Sequence, residues 1–349
     1  MKVVGNLLHM LFQAAWGMLF IILVLLSSCK RGPDYPDTSG IDVKVKLSRI
    51  DQEMSCRDSL ECLEKIEGLE ESHPTFTPVY LQRMIPIPPV RDSIQNIAQS
   101  AAFFSDSLVQ TLSQDVLEVF PDNSFIRSSL RSILQNWKYY FPEKLIPEFY
   151  TYYTLFNFGV VILDDDAIGI GLDFFLGSDY PSYPASRFPK YIQKTMDKNY
   201  LPSRVAKGMI QNILSLPDSD RLLDYMIYEG KMLYLSQRLI PDAPDSLIFH
   251  YSQEKIDWMK DNELETWAAL LKEEMLYSRE EVEYRKLVSP SPSGPSFMPR
   301  ASPGEAGSWI GWQIIKAYMA RHPEKSMMDL VQMTDSQEIL DQSRYKPRN

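Results

Sequence analysis

Apolar residues recur at three- and four-residue steps along most of this chain, a spacing that places them on one face of a helix. The longest example is Ser93–Phe120, where a single apolar stripe runs through the segment. The same period predicts further helices over four segments: Ser124–Tyr140, Asp218–Leu239, Ser252–Tyr277 and Trp309–Ala320. The chain is therefore expected to be mainly α-helical.

Strand-like patterns occupy two shorter regions. Val43–Ile50 alternates apolar and polar residues, as a half-buried strand does. Tyr150–Leu163 is dense in Tyr, Phe, Val and Ile, and Ala167–Leu172 follows it after the acidic triplet Asp164–Asp166. These two runs predict a β-hairpin, whose acidic turn is either solvated or able to bind a hard cation. The expected fold class is α+β, predominantly helical with a small antiparallel sheet.

The amino terminus has the form of a bacterial lipoprotein signal. Ala14–Leu26 contains no charged residue and is followed by Ser27-Ser28-Cys29, so that Leu26 to Cys29 resembles a lipobox. The apolar run fits a signal peptide and is shorter than the ~20 residues of a membrane-spanning helix. Residues 1–28 are therefore predicted to be removed and Cys29 to carry the lipid. An anchor over Leu7–Leu26 is the alternative.

The remaining chain is predicted to be one globular domain on a tether. Residues 29–40 are rich in Pro, Gly, Asp and Ser, which favours a flexible lipid tether, and residues 41–349 form the body. Within the body, residues 289–307 contain five prolines and three glycines and predict a long loop that is functional or mobile.

Charge excludes some classes of partner. Lys and Arg number 36 against 46 Asp and Glu, a formal net charge of −10. Nucleic-acid binding needs clustered basic residues, and adhesion to anionic lipid needs them too. The expected link to the membrane is therefore the lipid alone, with no nucleic acid among the partners.

Cys56 and Cys62 form an even pair once Cys29 is lipidated, and the envelope permits disulfides. Six residues of continuous helix would separate the two by ~9 Å along the axis, too far for a bridge. Either they are bridged and the helix begins at or after Cys62, or they are helical and reduced. The bridge is the favoured alternative.

No self-sufficient catalytic motif is present, so no catalytic residue, cofactor or metal ligand is predicted. Glu229-Gly230 lies inside a predicted helix, where glycine costs ~1 kcal/mol and therefore indicates close packing. Glu229 is either a structural or a functional acid. Trp309 and Trp312 share a helix face, which is either core or a partner surface. These four residues form the candidate cleft.

Several longer segments, taken together, resemble the gliding-motility lipoprotein GldB family of Bacteroidota. The segments are Ile170–Gly177, Asp179–Pro184, Arg187–Ile192, Leu222–Tyr234, Trp309–Ile315 and Ser343–Pro347. The resemblance implies an envelope lipoprotein associated with gliding and the linked type IX secretion machinery, and it implies no known catalytic residues.

A more distant similarity is to predicted zinc-dependent proteases of the zincin type. That similarity would place a His-Glu-x-x-His helix at Arg204–Leu216, which contains no histidine, and a later acid at Glu229. It therefore implies a degenerate, non-catalytic zincin-like fold.

The function expected is that of a non-catalytic accessory or assembly component, which contacts envelope proteins of the gliding or secretion apparatus through residues 289–307 and the region of Glu229. A hydrolase that uses Glu229 and a ligand-binding lipoprotein are the alternatives. Lys30-Arg31 directly after the lipidated cysteine favours a periplasm-facing position.

Overall fold

The computed structural model describes residues 35–54, 56, 58–85, 93–164 and 167–347. Contacts divide the chain into Met1–Asp37 and Thr38–Asn349, and every element named below belongs to the second unit. The predicted signal peptide and Cys29 lie outside the described residues, as do Asp165 and Asp166 of the acidic triplet.

Among the described residues, four strands form one mixed sheet, in the order β1-β2-β4-β3. They are β1 (Leu47–Arg49), β2 (Glu148–Tyr152), β3 (Val160–Asp164) and β4 (Ala167–Gly171). β3 and β4 form the predicted antiparallel hairpin, whereas β1 pairs with β2, and β2 with β4, in parallel. The expectation of an antiparallel sheet was wrong in this respect. The helices between β1 and β2 supply the crossover that a parallel pair requires.

Helices occupy most of the remaining chain, so the α+β, predominantly helical class is confirmed. Those before the hairpin are α1 (Ile50–Glu53), α2 (Ser59–Ser72), α3 (Phe76–Val79), α4 (Ser93–Phe104), α5 (Ser107–Val119) and α6 (Ser124–Tyr140). Those after it are α7 (Lys190–Gln193), α8 (Leu201–Gln211), α9 (Leu222–Leu239), α10 (Asp245–Phe249), α11 (Gln253–Asp261), α12 (Glu263–Lys272), α13 (Glu281–Val288), α14 (Ala306–Arg321), α15 (Met327–Gln332) and α16 (Ser336–Ser343).

Two predicted segments are interrupted. The stripe Ser93–Phe120 forms two helices because Asp106 caps α5, its carboxylate accepting a hydrogen bond from the Leu108 amide at 2.8 Å. Tyr150–Leu163 forms two strands because Leu155 and Phe156 adopt positive φ of 53° and 63°. The buried Asp173 carboxylate holds that turn by accepting from the amide of Phe156 at 2.7 Å.

The centre of the domain is the crossing of α9 and α14. A Cβ added at Gly230 would lie 2.4 Å from the carbonyl carbon and oxygen of Gly311, and one added at Gly311 would lie 1.8 Å from the Met226 oxygen. The backbones of the two helices therefore touch. Trp309 and Trp312 are buried on α14, with ring centroids 5.5 Å apart, which favours the core interpretation of this aromatic pair.

Cys56 and Cys62 are joined in a disulfide with a Cα–Cα distance of 5.2 Å. The helix nevertheless begins before Cys62, at Ser59, with the Asp58 carboxylate as its cap. The expectation that a bridge would delay the helix to Cys62 was wrong. Because Cys56 precedes the cap and is not helical, the chain can double back to the first turn of α2.

Across the described ranges, no helix combines the length and the apolar character needed to cross a membrane.

Candidate functional site

A charged cleft of about 720 Å³ opens where α8, α9, the end of α10 and the loop after α13 meet. Side chains from widely separated parts of the sequence line it. Its lining residues are Ser178, Tyr191, Ile192, Lys194, Thr195, Tyr200, Arg204, Lys207, Glu229, Phe249, His250, Tyr251, Ser252, Lys255, Val288, Pro290, Pro292 and Glu305. It is a recess of the size that holds small ligands in proteins.

Helix α8 supplies two basic side chains, Arg204 and Lys207, which are three residues apart and so share a face. The opposite face is apolar and buried, and the helix packs against the hairpin edge strand β3, where Gly208 leaves room for Val160. Burial lowers the pKa of both basic groups, and for Lys207 the negative charges of Glu305 and Glu229 oppose that effect.

Glu229 enters the cleft from α9. Its neighbour Gly230 faces α14, so the adjacent position on the helix is turned toward the cleft. Burial raises the pKa of Glu229 to about 7, with a further rise from Glu305 and an opposing effect from Lys207. Arg204, Lys207 and Glu229 lie deep in the cleft, but their side chains keep some contact with solvent.

Glu305 faces Glu229 from the end of the loop that follows α13. Its backbone is left-handed, with φ of 58°, and its amide donates to the Lys286 oxygen at 2.7 Å. The Tyr251 hydroxyl donates to the neighbouring Gly304 oxygen. Burial is the main cause of the raised pKa of Glu305. The loop is thus held against the body by hydrogen bonds at its carboxyl end.

His250 lies in the wall of the cleft in a left-handed conformation, with φ of 59°. Its Nε2 is 2.9 Å from the hydroxyl of Ser203, which is buried on α8. Burial, together with the positive charges of Lys207 and Arg204, lowers the pKa of His250 well below its ordinary value. The imidazole is therefore neutral at physiological pH and serves to join α10 to α8.

The side chains present do not fit a zinc site of the zincin type. Zinc in such sites is bound by two neutral imidazoles and an acid, whereas α8 offers the cations Arg204 and Lys207 next to Glu229. In the described part of the chain, no three His, Cys, Asp or Glu side chains are grouped so that they could hold a metal.

The structure separates the four residues of the candidate cleft. Only Glu229 lines the charged cleft; Gly230, Trp309 and Trp312 lie on the buried contact of α9 with α14 or beside it. The expectation that they share one cleft was wrong, because Glu229 and Gly230 face different directions on α9. Arg204, Lys207 and Glu305 were not predicted as site residues, since no local motif joins these distant positions. Helical phase would have placed Lys207 beside Arg204.

Replacing Glu229 with glutamine should change how stability depends on pH. The pKa of Glu229 is raised from 4.5 to about 7, so the folded state holds this proton more tightly than the unfolded state. This contribution to stability is complete below pH 4.5 and is lost as the pH rises through 7. In the wild type we expect the free energy of unfolding to fall by about 1–2 kcal/mol over this pH range, and E229Q should remove that fall. The value is smaller than the pKa shift alone would give, because the side chain contacts solvent.

The measurement is urea unfolding at several pH values between 4.5 and 8. E67Q, at an exposed position of α2, is the matched control and should keep the wild-type profile. An E229Q profile parallel to that of the wild type would show that Glu229 is not the buried acid described.

A family model described as gliding motility protein GldB matches residues 31–347. That match covers nearly the whole chain. The chain belongs to the GldB family. Searches of curated proteins and of solved structures found no significant match.

Membership of the GldB family implies a gliding-motility lipoprotein of the cell envelope. It agrees with the segments that carried the resemblance, which include the end of strand β4, the start of α9 and the amino-terminal part of α14. Glu229 and Lys207 both lie within the matched residues. The charged cleft therefore lies within the part of the chain that the family model matches.

Proposed function

We propose that this GldB-family protein is a non-catalytic accessory or assembly component of the gliding apparatus and the linked type IX secretion machinery. It would be held to the membrane by a lipid on Cys29 and face the periplasm. The proposal that the protein is non-catalytic is supported by the two basic residues on α8, Arg204 and Lys207, which lie beside the acid Glu229.

Lysine cannot replace zinc in peptide hydrolysis. A catalytic zinc ion binds water, lowers its pKa and polarises the substrate carbonyl as a Lewis acid. The Lys207 ammonium can supply positive charge opposite Glu229 and Glu305, but it has no coordination site for water. Its charge would also repel a metal ion. This arrangement supports a cleft that binds and does not hydrolyse.

The predicted tether limits where the body can act. Thr38 is buried and belongs to the folded unit, so the predicted tether is shortened to residues 30–37, which span at most about 26–29 Å when fully extended. The folded domain would therefore work close to the membrane surface. The net charge of −10 disfavours direct adhesion to anionic lipid, so its contacts would be with envelope proteins.

The test is in-cell crosslinking of the lipidated protein in its native envelope, followed by purification and identification of the crosslinked proteins. We expect gliding or secretion components to be recovered with the wild type. With C29S, which cannot be lipidated, we expect them to be lost while the body stays folded. Recovery of no such component from either form would contradict the proposal.

A ligand-binding role is the second candidate. It is favoured by the depth of the cleft and by the tyrosines that line it, Tyr191, Tyr200 and Tyr251. It is compatible with an accessory function, because a bound ligand could itself be the signal or the partner segment that the protein recognises.

A further inference from the structure

The charge of the cleft is opposite to that of the chain. Four basic side chains line it, namely Lys194, Arg204, Lys207 and Lys255, against the carboxylates of Glu229 and Glu305. The whole protein carries −10. An acidic protein that gathers four cations in one recess creates a local field that attracts anions.

Two of these cations retain unused hydrogen-bonding capacity. The Arg204 Nε is buried without a partner, although another nitrogen of the same guanidinium donates to the Thr195 hydroxyl at 2.9 Å. Within the described residues, the Lys207 ammonium has no carboxylate oxygen within 4.0 Å and no hydrogen-bond partner in the protein. A buried donor without a partner, such as the Arg204 Nε, is costly, and a bound acceptor would remove that cost.

The remaining lining restricts the kind of anion. Glu229 and Glu305 lie beside Lys207, so two carboxylates would repel a dianionic phosphate bound there. A ligand with a single carboxylate carries one negative charge, which the basic side chains attract and the two carboxylates repel less. Ile192, Phe249 and Pro292 add apolar surface for the rest of the ligand. The volume of about 720 Å³ suits a molecule of short-peptide or disaccharide size.

We propose that this cleft binds a small ligand through its carboxylate, which Arg204 and Lys207 hold from α8 while the tyrosines and apolar side chains hold the remainder. The inference rests on the proposed function, in that it treats the cleft as a binding site and not as a catalytic one. The carboxylate could belong to the end of a short peptide or to a sugar acid, and the test separates these sources.

Calorimetric titration of the lipidated protein in detergent provides the test. The probes are a tripeptide with a free carboxyl terminus, the same tripeptide as its amide, galacturonate, and galactose. We expect one of the two acids to bind and its neutral counterpart to bind at least tenfold more weakly. The acid that binds identifies the source. Equal affinity of acid and neutral forms, or binding of neither acid at millimolar concentration, would overturn the proposal.

Substitutions give a second readout with opposite signs. K207M should weaken binding of the acid at least tenfold, because it removes a charged donor. At pH 8, where the Glu229 carboxyl is mostly ionised because its pKa is about 7, E229Q should strengthen binding several-fold, since it removes a like charge near the ligand. K272M removes the same charge from an exposed site of α12 and should bind as the wild type does. A purely structural disturbance would weaken binding in both cleft variants.

The two proposals can fail separately. If neither acid binds but the native protein still crosslinks to motility components, the ligand assignment is wrong and the accessory function stands. If the native protein hydrolyses peptides with a bound metal, the proposed function fails, whatever the titrations show.

Discussion

Replacing Gly311 with alanine is expected to prevent the domain from folding or to destabilise it by at least about 3 kcal/mol. The added Cβ would lie 1.8 Å from the Met226 oxygen on α9. The obstructing atom belongs to a helix backbone, so no side-chain rotation can relieve the overlap. The two helices would have to separate, and the packing of the buried Trp309 and Trp312 would be lost with them.

Chemical denaturation of the purified domain measures this effect, with G230A tested in parallel. Gly68 gives the matched control, because it lies within α2 and a Cβ there would meet nothing within 4 Å. G68A should be neutral or stabilising by up to about 1 kcal/mol. A G311A protein as stable as the wild type would mean that α9 and α14 do not cross at their glycines.

Replacing Arg49 with methionine is expected to cost about 3–5 kcal/mol, because it leaves a buried carboxylate without its cation. Arg49 and Asp51 are almost completely buried, and their closest nitrogen–oxygen distance is 2.6 Å. Arg49 also donates to the Phe120 oxygen at 2.9 Å, and the Thr151 hydroxyl donates to Asp51. The pair therefore joins β1 and β2 to the end of α5.

The control for R49M is K46M. Lys46 lies three residues before Arg49 and forms an exposed ion pair with Glu148. Exposed pairs contribute little, so K46M should lie within about 1 kcal/mol of the wild type. The double variant R49M/D51N should recover part of the loss, since it removes the unpaired charge. If R49M were no more destabilised than K46M, the pair would not be buried as described.

Local patterns predicted the elements that depend on local forces. The β3–β4 hairpin follows from two β-rich runs around the acidic triplet, and α14 follows from its apolar composition. The close crossing of α9 and α14 was signalled by Gly230, because a glycine inside a helix needs a reason. Its partner Gly311 could not be chosen from the sequence, since the crossing pairs residues 81 positions apart in the chain.

The sheet and the cleft depend on long-range contacts that no local pattern specifies. Parallel pairing of β1 with β2 joins Leu47 to Phe149 across the six helices α1 to α6 of the described residues and more than a hundred positions of sequence. The cleft likewise brings Lys207, Glu229 and Glu305 together from three elements. Glu229 was predicted as a candidate acid. Its basic neighbours Arg204 and Lys207 could not be predicted, because they lie on α8 and reach Glu229 only through the packing of α8 against α9.

The zinc content of the protein, isolated from its native envelope without chelators or added metal, tests the central claim most directly. The claim is that Arg204 and Lys207 make the cleft beside Glu229 a binding site and not a metallopeptidase centre. The account predicts much less than one zinc per chain, with no change in E229Q. One equivalent of zinc per chain that is lost in E229Q, together with peptide hydrolysis by the wild type, would contradict it.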